Sequence, residues 1–596
     1  MSFIEFRDVR FTYPGQKEAA LKNISFSLDQ GSHTAVIGGN GSGKSTLARL
    51  MTGLLVPEAG DVLVDGNNSR DTKLHRQIRT RAGLVFQNPS TQIVATVVRE
   101  DTAFGPENLA LDSEEIRKRV RTALENTELS SLSGRETHML SAGQQQRLAM
   151  AGILAMGTGC LILDEAESML NPRGRKEMYS LLASLHAEGF TIIRITHFMD
   201  QAAGAEQIMI LHEGELVSRG CPVEIFRHTP FELNRWSLRP SPVQELAAFL
   251  DSPGVNDTAG GMKGEVLLQE EDFIERLKEV YPDISGKGQA VAFSTQSAGR
   301  TENVEQEVPD VRDSQTSAST AVPVITLKSV SRTYGSKSPH PVKALEDISF
   351  TLRRGESVSV MGTTGSGKST FLQMMNSLLL PDTGELTLLG QNPLDKKTDL
   401  AVLRSRIGLV MQQPEKQLFA SLVGDDVAFG PRQTGIKGKE LSRRVRDALE
   451  RVGLSYRQYR DFPVRALSGG QKRKAALAGV LAMNPEILLL DEPTAGLDPQ
   501  SAESLEAILL SLHREGISLV TVTHNVEQAL RLSDRLLVFR DGKLSWDGPA
   551  SGFFQSHDPA DYGLEYPLSS RIAGALDLHP LPVTPEELRA RLEPAV

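Results

Sequence analysis

The chain predicts an α/β protein built from two tandem copies of one domain, and three observations predict it. The first is a single order of motifs that occurs twice. GGNGSGKST at Gly38–Thr46 returns as GTTGSGKST at Gly362–Thr370, LSAGQ at Leu140–Gln144 as LSGGQ at Leu467–Gln471, and LILDE ending at Glu165 as LLLDE ending at Glu492. The offset scarcely drifts. Lys44 and Lys368 are 324 residues apart, Gln87 and Gln412 are 325 apart, and both Asp164 to Asp491 and His197 to His524 span 327. The second observation is that short apolar runs lead into these motifs: SHTAVIGG, ESVSVMG, TIIRITH, SLVTVTH and Ile487–Leu490 all read as buried strands. The third is alternation. Residues ~112–160 and ~438–486 read as helical, and strands alternate with helices after them, which argues for a parallel sheet.

Each copy begins with segments that alternate like antiparallel strands, VRFTYPGQKEAALKNISFSL and VSRTYGSKSPHPVKALEDISFTL. The repeat continues past the last strand motif. RPSPVQELAAFL is echoed by YPLSSRIAGAL, and EEDFIERL by PEELRARL, so 240–284 and 556–596 read as matching helical extensions of domains at 1–239 and 323–555. Between them, 285–322 is rich in Ser, Thr, Gln, Glu and Gly and reads as a flexible linker. Such a chain spans roughly 35 Å, enough to let two domains face one another.

At 596 residues with 39 % apolar and 23 % charged residues, the composition is that of a soluble globular protein of more than one domain. No apolar run approaches the ~18 residues of a spanning helix. MSFIEFRDVRFTYPG carries charges where a signal peptide needs an apolar core, so the chain is expected to stay in the cytosol and meet a membrane only through partners. Two cysteines, Cys160 and Cys221, exclude a disulfide framework, and a net charge of −10 argues against a nucleic-acid binder.

Gly38, Asn40, Gly41, Ser42, Gly43, Lys44, Ser45 and Thr46 form a phosphate loop, as do Gly362, Thr364, Gly365, Ser366, Gly367, Lys368, Ser369 and Thr370. Their glycines let backbone N–H groups close around phosphate oxygens at a helix N-terminus. The lysines reach the β- and γ-phosphates, and Ser45 and Ser369 offer hydroxyls to Mg²⁺. Asp164 and Asp491, at strand ends, are further candidates for Mg²⁺, and Glu165 and Glu492 for polarising an attacking water. A carboxylate pair at a strand end is on its own also compatible with a solvated turn; the phosphate loop upstream decides between them.

LSGGQ, an apolar strand ending in Asp-Glu, and the turn DEPTAGLDP together resemble the ATPase subunits of ABC transporters. The resemblance implies two tandem P-loop NTPase (ABC ATPase) domains, each with an antiparallel β subdomain, a helical subdomain and a C-terminal helical extension, binding ATP and Mg²⁺. It implies that Gln87 and Gln412 sense metal and γ-phosphate, that His197 and His524 contact the γ-phosphate, and that Tyr13 and Tyr334 stack on adenine, where packing is the other reading. It implies a head-to-tail pairing of the halves. Ser141, Gly143 and Gln144 then close on nucleotide held by Lys368, and Ser468, Gly469, Gly470 and Gln471 on nucleotide held by Lys44.

The halves differ. LSAGQ and DEAESMLNP stand in the first where the second has LSGGQ and DEPTAGLDP. Ala142 adds a methyl near phosphate and penalises any positive-φ geometry, and Asn171 removes the turn's charge. The site built on Lys44 is therefore expected to be competent and the one on Lys368 weakened, unless both changes are tolerated variants.

NPSTQIVATVVREDTAFGPENLAL and QPEKQLFASLVGDDVAFGPRQTGI resemble the ATPases of energy-coupling factor importers, which take up vitamins, their precursors or transition metal ions. That branch implies a transmembrane coupling protein gripped by this segment, a membrane substrate-binding protein, and a peripheral position on the cytoplasmic face of the cell membrane. Two other readings are a soluble tandem-ABC translation factor and the ATPase of a binding-protein-dependent importer. Against the first, 240–322 carries 15 acidic and 6 basic residues where those linkers are typically basic. Against the second stands the Ala-Phe-Gly-Pro segment.

Overall fold

The computed structural model describes residues 2–167, 170, 172–250, 267–281, 322–335 and 341–592. Each half holds two sheets. In the first, Leu21–Asp29, Ser2–Phe11, Ala59–Val64 and Asn67–Asn68 form an antiparallel sheet in that order. The second sheet runs Glu215–Gly220, Gln207–His212, His33–Ile37, Thr191–Thr196, Cys160–Asp164, Ala82–Val85. Its strands are parallel except for the Glu215–Gly220 edge. The second half repeats the order with Lys543–Pro549, Arg535–Arg540, Ser357–Gly362, Ser518–Val522, Ile487–Asp491 and Ile407–Val410.

The inner parallel strands are buried on both faces, which is why they read as unbroken apolar runs rather than alternations. Phe6, Phe26 and Leu28 of the antiparallel sheet pack with Leu47, Leu50 and Met51 of the helix after the phosphate loop, so one core fixes that loop against both sheets. Phe350, Phe371 and Phe539 do the same in the second half.

Helical structure starts earlier than the expected ~112 and ~438, at Val98–Asn108 and Val423–Gln433. Gly-Pro reads as a breaker, yet Pro106 and Pro431 fall inside the last turn of each helix, where the missing N–H forfeits one bond to the carbonyl four residues back and each helix ends two residues later.

Beyond each domain, Pro242–Leu250 and Glu270–Val280 lie against Leu568–Ala575 and Pro585–Leu592. Val243, Leu246, Phe273 and Leu277 share a single buried core with Ile572, Leu576, Leu588 and Leu592, so the two extensions fold as one unit drawn from both halves. Arg571 closes its edge with a two-armed ion pair to Glu270, one arm at 3.0 Å, and Arg239 reaches Glu503 at 3.4 Å. Most of the 285–322 linker lies outside the described residues. Among the described residues no helix is long and apolar enough to cross a membrane.

Candidate active sites

Strand His33–Ile37 runs into the glycine loop, which opens the helix Lys44–Met51. Gly43 holds φ 104°, and a Cβ there would stand 2.7 Å from the Ala20 carbonyl oxygen, so glycine is required. No side chain caps the helix, which leaves its first backbone N–H groups for an anion. The Lys44 ammonium curls over the loop, donating to the carbonyls of Gly38 and Gly39 at 2.8 and 2.9 Å. Lys368 repeats this with Gly362 and Thr363 at 2.8 and 2.7 Å. Asn40, Gly41, Thr364 and Gly365 are exposed at the loop tips, while the hydroxyls of Ser42 and Ser366 are buried with no hydrogen-bond partner among the described residues. A cradle with orphaned donors and a held-back ammonium fits a polyphosphate.

Ser45 Oγ donates to Asp164 Oδ1 at 3.0 Å, and the Ser369 hydroxyl bonds Asp491. Among the described residues no group of three or more His, Cys, Asp or Glu could hold a metal. One hydroxyl and one carboxylate per site fit Mg²⁺, which keeps water and phosphate ligands, and do not fit an all-protein metal cage.

The adjoining glutamates point the same way. Gln87 Nε2 donates to Glu165 Oε2 at 3.0 Å, and His197 Nδ1 lies 3.4 Å from Glu165 Oε1. Gln412 Nε2 reaches Glu492 Oε2 at 2.7 Å, and His524 Nε2 stands 3.0 Å from Glu492 Oε1. Burial works to raise both glutamates, but the facing histidine and lysine outweigh it and hold them below the ordinary carboxylate value. Asp164 and Asp491 go the other way, raised chiefly by burial. Burial also pulls Lys44 down, and brings Lys368 to about 8, against the opposing pull of nearby carboxylates.

The tyrosines flank the loops. Tyr13 OH is 3.1 Å from Thr46 Oγ1 and Tyr334 OH is 3.3 Å from Thr370 Oγ1. Ser141 and Ser468 cap the helices Ala142–Ala155 and Gly469–Leu481, each in a capping box with Gln144 or Gln471. In both, the serine oxygen accepts a backbone N–H, so its own O–H stays available to donate. Gly143 and Gly470 pack toward Leu170 and Ser501 respectively.

The expected strain at Ala142 is corrected by the structure. Its counterpart Gly469 is the first residue of a helix and has no positive φ, and a Cβ on it would meet nothing within 4 Å. Asn171 lies outside the described residues, so the asymmetry expected from it has no structural account.

One residue outside the expected set joins the first site from the second half. The carboxylate of Asp498, from the AGLDP turn, is near enough to Lys44 to support its charge. Asp498 is itself buried and caps Pro499–Arg514 through Ser501. Its signal was the Gly-Leu-Asp turn. The sites also differ in access: the His197 side chain is 2 % exposed and that of His524 29 %. Both ring nitrogens of His197 lack a well-directed partner among the described residues, as a group awaiting a ligand would.

This fold and this geometry define a P-loop nucleoside triphosphatase with two phosphate-binding sites in one chain. A family model described as ABC transporter matches residues 21–168 and 345–495. An ABC transporter ATP-binding protein of Bifidobacterium longum is 34 % identical over 92 % of this chain, which spans 65 % of that protein's length. One from Methanosarcina mazei is 31 % identical over 97 % of this chain and 94 % of its own. A solved structure of cbiO1 from Clostridium perfringens, described as part of the ABC transporter complex cbiONQ, is 32 % identical and covers 39 % of this chain and 91 % of its own, with a TM-score of 0.36. The chain belongs to the ABC transporter family, as an ATPase with two tandem ATP-binding domains.

Proposed function

We propose that this chain is the ATP-hydrolysing component of an energy-coupling factor importer, powering uptake of a vitamin, a vitamin precursor or a transition metal ion. The observation that carries the branch is an exposed apolar site in the helical subdomain. Phe419 and Phe429 are 65 % and 43 % exposed and meet edge to face at 4.6 Å. Phe419 also lines a cleft of about 480 Å³ with its neighbours in Leu418–Leu422, Pro463–Arg465 and Lys472. Val94 and Phe104, at the matching positions of the first half, are 64 % and 45 % exposed. Large apolar side chains left in water at equivalent places fit docking of apolar helices, here those of a transmembrane coupling protein that works beside a membrane substrate-binding protein. The chain then sits peripherally on the cytoplasmic face of the membrane.

In the hydrolytic step the lysines and loop N–H groups neutralise phosphate charge. Ser45 with Asp164 and Ser369 with Asp491 would hold Mg²⁺, which when bound would supply further charge neutralisation. Glu165 and Glu492, kept ionised, accept a hydrogen bond from the attacking water, and Gln87 and Gln412 orient them. His197 and His524 contact the γ-phosphate. Ser468–Gln471 and Ser141–Gln144 close on the opposite half's nucleotide, with Asp498 leading the approach to Lys44. The reading is tested by purifying the tagged chain from detergent-solubilised membranes of its native cell. Two co-purifying integral membrane proteins without a soluble binding protein support it, whereas ribosomes from the soluble fraction and no membrane partner would overturn it.

A further inference from the structure

Glu165 and Glu492 sit at φ 50° and 48°, a left-handed conformation that side-chain-bearing residues keep only when their surroundings over-determine it. The two halves do so with different side chains. In the second, Arg473 reaches from the helix Gly469–Leu481 to the turn that follows the strand. Its Nη1 donates to the carbonyls of Glu492 and Pro493 at 2.7 and 2.9 Å, and its Nη2 to that of Ala495 at 3.1 Å. The matching residue of the first half is Gln146, whose amide instead reaches the Phe86 carbonyl at 3.4 Å. The first-half turn thus has no such clamp from Gln146.

It has an ion pair instead. Arg194, in the strand Thr191–Thr196 that leads to His197, donates from Nη2 to Glu167 Oε1 at 2.9 Å. Glu167 lies two residues beyond Glu165, and both partners are buried, at 3 % and 6 % exposure. The guanidinium rests 4.4 Å from the centre of the Tyr179 ring. In the second half these three positions are Thr494, Thr521 and Glu506. There the Gln528 amide bonds Thr494 and Glu506 at 2.8 and 3.1 Å. Desolvation makes a buried ion pair a poor source of net stability, so its presence at one turn and not the other asks for another role.

We propose that Glu167 and Arg194 are positioning residues for Glu165. Their ion pair ties the strained turn to the His197 strand and does for the first site what the Arg473 clamp does for the second. The carboxylate geometry of the two sites is therefore set by separate devices, and one can be loosened without the other. The inference rests on the ATPase reading only where turnover is its readout.

The test uses the full chain carrying Glu492→Gln, so that turnover reports the first site. Adding Glu167→Thr with Arg194→Thr installs the second half's residues at these two positions and strands neither partner of the ion pair. The expected results are a kcat lower by about tenfold or more, nucleotide affinity within about twofold, and partial recovery of kcat when Glu167 is kept and Arg194→Lys is used instead. Amide hydrogen exchange gives a readout independent of activity. The Glu165 N–H, which donates to the Ile195 carbonyl at 3.1 Å, should exchange about tenfold faster, with the peptide over Ile487–Ala495 unchanged. Unchanged exchange at Glu165, or an equal rise across the whole first domain, would overturn the proposal. If the Glu492→Gln parent has no turnover, the ATPase reading of the first site fails while exchange still decides this one.

Discussion

Lys368 gives a prediction whose size follows from the structure. Burial holds its ammonium at about 8, against an ordinary value of 10.5, although Glu492 and Asp491 pull the other way. Nucleotide phosphates laid against it restore its charge, so binding and protonation are linked. Below pH 8 the lysine is protonated with or without nucleotide, and affinity is insensitive to it. Between pH 8 and 10.5 binding takes up as much as one proton, and affinity falls by up to tenfold per pH unit. If the bound lysine returns to its ordinary value, the loss from pH 7 to pH 10 is roughly 70-fold, within a limit of about 3.4 kcal/mol set by the 2.5-unit gap. The nucleotide-free fold has the opposite slope: the unfolded chain binds more protons over this window, so this lysine's contribution to stability rises with pH. The assay is equilibrium binding of a fluorescent ATP analogue to a Lys44→Ala chain, with Lys368→Arg as the comparison that cannot titrate. A flat profile for Lys368 across pH 8–10, or the same slope in the arginine variant, would refute the reasoning.

Three further outcomes are expected. Glu165→Gln should remove most steady-state ATP turnover and Glu492→Gln much less, because the first site is the one that Asp498 joins and whose histidine is buried; equal losses in a phosphate-release assay would count against the inequality. Phe273→Ala, in the core shared by the extensions, should cost about 3–5 kcal/mol of local stability, read by denaturation and by loss of a cross-link between Pro242–Leu250 and Pro585–Leu592. Gly469→Ala should leave thermal stability within about 0.5 kcal/mol of the parent, since its Cβ enters open space in a helical backbone. A large drop in melting temperature would restore strain as the meaning of Ala142.

The duplicated strand order was legible because a doubly buried strand must be apolar throughout, as Cys160–Asp164 and Ile487–Asp491 are, and because the motifs sit at their ends. The convergence of Lys44, Ser45, Gln87, Asp164, Glu165 and His197 was legible for the same reason: in a parallel sheet, strand ends lie on one edge. What escaped was side-chain geometry between elements distant in sequence. Nothing local marks Arg473 as a clamp or Arg194 as the partner of Glu167, since a charge in an apolar strand or on a helix looks alike whether paired or solvated. Ala142 misled because the expected strain assumed a left-handed turn where the chain has already become helix.

The mixed core of the extensions also bears on whether the two copies are interchangeable parts. The sequence repeats, but Phe273 and Leu277 are covered by Ile572, Leu588 and their neighbours from the other copy. Either half expressed alone would present a greasy face that its own residues do not cover. A fragment ending after the first domain's extension should therefore aggregate or pair with itself rather than behave as half a machine. Two copies that are separable in sequence are, in folding, a single unit.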